Sequence, residues 1–181
     1  MATIKILLEG YLEEERGGTR PTVTLVKDKD VVMVVDPGTM ESQDILLHAL
    51  KENGLTKEDI NVVCITHSHI DHYKNIGMFP RAKALDFWGL WDGDQDEELK
   101  ENFTDDIRII KTPGHDKTGI TLLVTTDKGT VAICGDVFWK KDFPEDDPYA
   151  DDKEKLEQSR HLILKSADYI IPGHGEMFRS S

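Results

Sequence analysis

The chain has 181 residues, 35 acidic against 22 basic, for a formal net charge of −13, with 38% hydrophobic content. That length supports one domain with a real core, spanning 1–181, and the composition is neither disordered nor fibrous. The negative field opposes long-range attraction to nucleic acid or an anionic bilayer, and apolar runs such as Val31–Val35 and Ile120–Val124 are strand-length, too short to cross a membrane.

The amino terminus, Met1-Ala2-Thr3-Ile4-Lys5, enters a strand pattern without the apolar segment of a secretory signal. Cys64 and Cys134 lie in apolar runs and read as buried thiols, not as a disulfide framework. Together these features predict a cytoplasmic protein with no membrane partner.

In chain order, Ile4–Leu8 reads as a strand and Glu13–Arg20 as a charged, glycine-containing loop. Thr22–Val26 and Val31–Val35 alternate around Lys27–Asp30 and predict a hairpin. Asp36-Pro37-Gly38 stops the second strand. A helix follows over Asp44–Asn53, started by Thr39 or Ser42 and stopped by Gly54. Ile60–Ile65 is a strand, Tyr73–Met78 a short helix, Ala82–Leu85 a strand and Asp86–Glu101 an insertion carrying three aromatics. Ile107–Ile110, Thr121–Thr126 and Thr130–Cys134 are strands, the last two joined by the turn Asp127-Lys128-Gly129. Asp151–Lys165 has helical spacing, and Tyr169–Ile171 is a last strand. The acid-rich stretches Asp92–Glu101 and Phe143–Glu157 read as solvated faces.

Residues 66–72 read T-H-S-H-I-D-H, three imidazoles and a carboxylate just past an apolar strand. Imidazole nitrogen with carboxylate oxygen suits zinc and its first-row neighbours. On a strand His67 and His69 share a face, whereas Asp71 and His72 need a turn or a first helical residue to re-aim. One metal can therefore take the first pair and a second metal the later pair. His115 in P-G-H, Asp136 in C-G-D and His174 in P-G-H-G share a placement, each following an apolar run and a glycine. Strand ends along one edge of a layered α/β fold bring such loops to one rim. The candidate ligands are then His67, His69, Asp71, His72, His115, Asp136 and His174, more than one zinc takes. Two ions sharing a carboxylate fit the number; one ion with bystander histidines is the alternative. His48 and His161 lack a turn or a glycine and read as structural or surface residues.

On these motifs the chain resembles the metallo-β-lactamase-fold hydrolases, through T-H-S-H-I-D-H at 66–72, P-G-H at 113–115, G-D at 135–136 and P-G-H-G at 172–175. The resemblance implies a four-layer αβ/βα sandwich with two mixed β-sheets. It implies a first metal on His67, His69 and His115, a second on Asp71, His72 and His174, and Asp136 bridging them. It also implies a supporting role for Asp36, in V-V-D-P-G, bracing the metal-site loops. The segments K-I-L-L-E-G-Y, R-P-T-V-T-L-V and H-Y-K-N-I-G-M-F-P are similar to the group called metallo-β-lactamase domain-containing protein 1, whose members have been associated with ribonuclease activity.

The implied reaction is hydrolysis by a hydroxide activated between two divalent ions, zinc first, with iron or manganese as alternatives. Asp71 and Asp136 are its catalytic candidates, Asp71 orienting the nucleophile. Ser68 is assigned a local hydrogen bond. A small ester, lactone or thioester is the leading substrate class. A ribonuclease or phosphodiesterase acting on RNA is the alternative, followed by an iron-dependent oxygen-handling protein and a non-catalytic binding module. Trp88, Trp91, Phe138, Trp139 and Lys140 are the candidate pocket residues. The aromatic segments around them can form a substrate wall, satellite core or a homodimer surface.

Overall fold

Alternation with a period of two runs through the predicted strands. In the computed structural model, which describes residues 1–13 and 17–180, each alternating set faces a different layer. The strands are Thr3–Leu8 (β1), Tyr11–Glu13 (β2), Gly18–Arg20 (β3), Val23–Asp28 (β4), Val31–Val35 (β5), Val62–Cys64 (β6) and Lys83–Leu85 (β7). They continue with Gly89–Asp92 (β8), Gln95–Glu98 (β9), Ile107–Lys111 (β10), Ile120–Thr126 (β11), Gly129–Ile133 (β12), Tyr169–Ile171 (β13) and Phe178–Arg179 (β14). The α-helices are Gln43–Glu52 (α1), Ile70–Tyr73 (α2) and Lys153–Ser166 (α3).

One sheet has the order β1-β4-β5-β6-β7-β8-β9, with β6 parallel to both neighbours and the other pairs antiparallel. The other has the order β10-β11-β12-β13-β14, with only β12 and β13 parallel. Met33, Val35 and Cys64 from the first sheet and Ile120, Leu122 and Ile133 from the second form the layer between them. Val34 and Val63, pointing the opposite way, pack on Leu46, Ala49 and Leu50 of α1. Leu123, Ala132 and Ile170 pack on Leu156 and Ile163 of α3. The result is the expected four-layer αβ/βα sandwich with two mixed sheets.

Both long helices start on a side-chain cap: Ser42 Oγ accepts from the Asp44 N–H at 3.2 Å and Asp152 Oδ1 from the Lys155 N–H at 3.0 Å. Gly54, at φ 71°, follows α1 in the left-handed region, as its stop signal predicts. Cys64 and Cys134 are buried free thiols. Among the described residues no helix is long and apolar enough to cross a membrane.

Four segments differ from expectation. Asp86–Glu101 is no insertion: β8 and β9 pair around Gly93-Asp94 and extend the first sheet, with φ 64° at Gly93 supplying the turn. The exposed Gln95-Asp96-Glu97-Glu98 edge carries charge, which discourages further strand pairing. Of the predicted loop Glu13–Arg20, Glu14–Arg16 lie outside the described residues, while β2 and β3 form a two-stranded antiparallel ribbon separate from both sheets. The strand at Ile60–Ile65 is only Val62–Cys64. The helix predicted over Tyr73–Met78 is split into α2 and a 3₁₀ turn at Ile76–Met78. β14 carries no alternation long enough to signal itself.

Leu122 is fully buried between the sheets. Leu122→Ala is expected to cost about 2–5 kcal/mol, read from the urea midpoint at unchanged slope. A loss below about 1 kcal/mol would show that the layer between the sheets collapses freely around the cavity.

Candidate metal centre

β10, β12 and β13 run in one direction, as do β5 and β6, so their carboxyl-terminal ends carry His115, Asp136 and His174 on one sheet and Asp36 and the 66–72 segment on the other. Backbone bonds join the two edges: Ile120 N–H donates to the Thr66 carbonyl at 2.8 Å and Thr22 N–H to the Gly173 carbonyl at 2.6 Å. The junction has no room for a side chain at two places. A Cβ at Gly173 would sit 1.8 Å from Asp136 Oδ1, and one at Gly38 would sit 1.6 Å from the Asp71 carbonyl oxygen. These glycines are required by close approach, not by their backbone angles.

All seven histidines and aspartates singled out above are brought together, in two groups. His67, His69, His115 and Asp136 offer atoms within 4.8 Å of one another, as do Asp71, His72 and His174. The Asp136 carboxylate lies between the groups. Its Oδ1 is 3.3 Å from Nε2 of both His72 and His174, and its Oδ2 is 3.4 Å from His115 Nε2 and 3.9 Å from His67 Nε2.

The outer hydrogen bonds assign the ring tautomers. His72 Nδ1 donates to Asp36 Oδ2 at 2.8 Å, His115 Nδ1 to Asp147 Oδ2 at 2.6 Å and His174 Nδ1 to the Arg20 carbonyl at 2.9 Å. The Thr66 hydroxyl donates to Asp36 Oδ2 at 2.6 Å, so its oxygen accepts from His67 Nδ1 at 3.1 Å. In the neutral rings Nε2 of all four histidines is then a lone pair, and all four point inward. His72 Nε2 and His174 Nε2 are 3.3 Å apart, and Asp136 Oδ1 is buried among them without a hydrogen-bond donor. Converging acceptors of this kind favour a cation, and the two groups could hold metal ions.

The electrostatics agree. Burial favours a neutral Asp136, but the adjacent His72 and His174 overcome it and hold the carboxyl well below the usual range. Burial opposes charge on His72 as well, yet Asp136 and Asp36 hold that imidazole well above its ordinary value. In the absence of another cation a proton meets the same demand. Burial dominates at His67 and pushes it well down, keeping the ring neutral and able to ligate.

Asp36, at φ 51°, turns its side chain back to accept from the Thr66 N–H at 2.8 Å as well as from the Thr66 hydroxyl and His72. Ser68 Oγ donates to Asp116 Oδ2 at 3.2 Å, outside the cluster. His48 pairs with Glu52 on the surface of α1, and His161 bonds the Glu157 carbonyl within α3. Among the residues that sequence reasoning missed is Asp147. It lies in a stretch read as a solvated face, but it is 1% exposed and orients His115. Nothing local distinguishes it from the acids around it.

A cavity of about 420 Å³ opens over the two groups, reaching His69, Asp71, His115, Asp136 and His174. Trp139, Phe143 and Tyr149 wall one side, with Trp139 and Tyr149 stacked at 5.8 Å. Leu12, Glu13 and Gly17–Thr19 form the other side. Of the five pocket candidates only Trp139 lines this space. Trp88 is 64% exposed and borders a separate 260 Å³ cavity that Ser68 and His67 also line. Trp91 is partly exposed on β8, its indole N–H donating to Asp86. Phe138 packs against Phe178, and Lys140 lies over the Phe143 ring. The strand period explains Phe138, because successive residues of an extended segment face opposite ways. Arg160 of α3 fixes the aromatic wall by donating to the carbonyls of Val137, Pro144 and Glu145 at 3.0, 3.0 and 3.2 Å.

Comparison with known proteins gives the same class. A family model described as the metallo-beta-lactamase superfamily matches residues 16–86. The chain is 35% identical to metallo-beta-lactamase domain-containing protein 1 of Xenopus laevis, over 98% of this chain and 81% of that one. Among solved structures, a Thermotoga maritima metallo-beta-lactamase homologue matches with a TM-score of 0.78 at 23% identity, over 98% of this chain and 99% of that one. An N-acyl homoserine lactone hydrolase with a product bound at its catalytic metal centre shares the fold at a TM-score of 0.68 and 16% identity, over 96% of this chain and 92% of that one. Fold and relatives define a metal-dependent hydrolase. The chain belongs to the metallo-beta-lactamase superfamily.

Asp36→Ala leaves three buried donors without an acceptor and is expected to destabilise the protein by about 3 kcal/mol or more, measured by urea unfolding in the presence of chelator. Asp36→Asn, which keeps one carbonyl oxygen and tolerates the left-handed backbone, is expected to lose less. Equal, small losses in both would remove Asp36 from its bracing role.

Proposed function

We propose that the chain holds two divalent ions, zinc first, and hydrolyses a small neutral ester, lactone or thioester. The observation that carries the two-ion reading is the Asp136 carboxylate, each oxygen of which faces a different group of imidazole lone pairs. The first ion belongs to His67, His69 and His115 and the second to Asp71, His72 and His174, with Asp136 shared. Bound there, such a pair lowers the pKa of a shared water and polarises the bond under attack.

The chain's own residues do the rest. Asp71, 21% exposed where the cavity meets the second group, has the free carboxylate surface to accept a hydrogen bond from the attacking water and orient it. Asp36, Asp147 and the Arg20 carbonyl keep Nε2 of His72, His115 and His174 directed inward. Trp139, Phe143, Tyr149 and Leu12 offer apolar surface for an acyl group and exclude water beside the reacting bond. No lysine or arginine lines the cavity among the described residues, which favours a neutral substrate over a phosphodiester. The lactone hydrolase of the same fold, with its product at the metal centre, supports the same substrate class.

Metal analysis of protein purified without chelator is expected to find two ions per chain. A parallel screen against thioester, lactone, phosphodiester and single-stranded RNA is expected to show turnover in the first two. Asp136→Ala should lose metal and turnover together. Less than one ion per chain would undo the two-ion reading, turnover retained in Asp136→Ala would remove its bridging role, and faster cleavage of RNA would replace the substrate class.

On the best substrate of that screen, Trp139→Ala is expected to raise KM about tenfold with a smaller change in kcat, because it removes apolar surface and no ligand. An unchanged KM would place the acyl group elsewhere.

A further inference from the structure

The two ligand groups differ in what supports them. His67 and His115, and His72 of the second group, are held through Thr66, Asp36 and Asp147, all buried. His174, in the second group, donates to the Arg20 carbonyl at 2.9 Å, and the Thr19 hydroxyl lies 3.3 Å from the same nitrogen and 3.4 Å from Asp71 Oδ2. Both partners sit on β3, in the ribbon that belongs to neither large sheet. A two-stranded ribbon is marginal alone and is seated by whatever it touches. Among the described residues its polar contacts are with exposed or flanking groups: Thr39 Oγ1 donates to the Thr19 carbonyl at 2.7 Å, Arg20 pairs with Glu41 at 3.3 Å and donates to the Glu9 carbonyl at 2.9 and 3.2 Å, and the Tyr11 hydroxyl donates to Glu41 at 3.2 Å. The same ribbon forms one wall of the cavity through Leu12, Gly18 and Thr19.

We propose that filling the Asp71–His72–His174 group and seating the β2–β3 ribbon over the cavity are one coupled event, with Thr19 and the Arg20 carbonyl as the link. A cation on His174 Nε2 polarises the opposite Nδ1–H and strengthens its bond to the Arg20 carbonyl. The coupling is reciprocal: a seated ribbon raises affinity for the second ion, and the second ion seats the ribbon. The one-ion form therefore has a loosened wall, and the substrate cavity is completed only with both ions. Thr19 acts here as a positioning residue, through Asp71 and His174. This inference rests on the two-ion reading and adds to it the order in which site and cavity form.

The test is a cobalt(II) titration of chelator-treated protein, followed by absorption, with hydrogen exchange read at Tyr11–Glu13 and Gly18–Arg20 after each equivalent. The binding phase missing from Asp71→Ala identifies the second group. Thr19→Val, which keeps side-chain shape and removes the hydroxyl, is expected to weaken that phase about fivefold and leave the other unchanged. Glu41→Ala, at an exposed side chain outside the cluster, is expected to do the same. Exchange in the ribbon is expected to slow with the second-group ion and not with the first. Two ions bound with parental affinity in both variants, and ribbon exchange indifferent to metal, would overturn the coupling and leave the two-ion reading standing. Binding of no ion at either group would overturn both.

Discussion

The Asp36 carboxylate accepts from the Thr66 N–H, the Thr66 hydroxyl and His72 Nδ1 at 2.6–2.8 Å, at the exact point where the first sheet ends. Three donors on one buried acid tie the start of the 66–72 segment to its third histidine, His72, so the segment cannot extend as a strand beyond Cys64. That constraint splits the run. His67 and His69 are left facing the second sheet, while Ile70–Tyr73 turns into a helix and carries Asp71 and His72 to the other side of Asp136. The left-handed backbone at Asp36 is what lets the carboxylate reach back, and Asp is among the few residues that accept such a conformation.

The net charge of −13 acquires a local meaning once the chain is folded. Most acids remain on exposed loops and on the edge strand β9, where solvent screens them. Asp36, Asp136 and Asp147 are instead buried around imidazoles, which favours a cation in the space between. A surface that is unattractive to polyanions thus coexists with a centre that could hold metal ions. The cavity above that centre is aromatic and apolar on one wall and bounded by the β2–β3 ribbon on the other. The aromatic wall is itself held to α3 by Arg160, which donates to three backbone carbonyls and pairs with Glu157.

Much of the fold was legible before any coordinates. Met33, Val34 and Val35 alternate between the two faces of β5 because a strand repeats every two residues, and Leu46, Ala49 and Leu50 share a helical face. The glycine-led turns before His115, Asp136 and His174 were legible for the same kind of reason: a local backbone requirement leaves a local sign. The hairpin of β8 and β9 carried its sign too, in Asp92-Gly93, but the charge of the second strand masked it.

The sequence by itself determined the class of chemistry, because histidine and aspartate at strand ends carry their ligand atoms wherever the chain places them. Only the tertiary structure decided that Asp147 orients His115 from 32 positions away, that Trp139 and not Phe138 faces the cavity, and that Thr19 and Arg20 stand behind His174 at a separation of more than 150. A hydrogen bond between distant residues depends on how layers stack, and no short-range pattern of hydrophobicity or turn residues encodes that stacking.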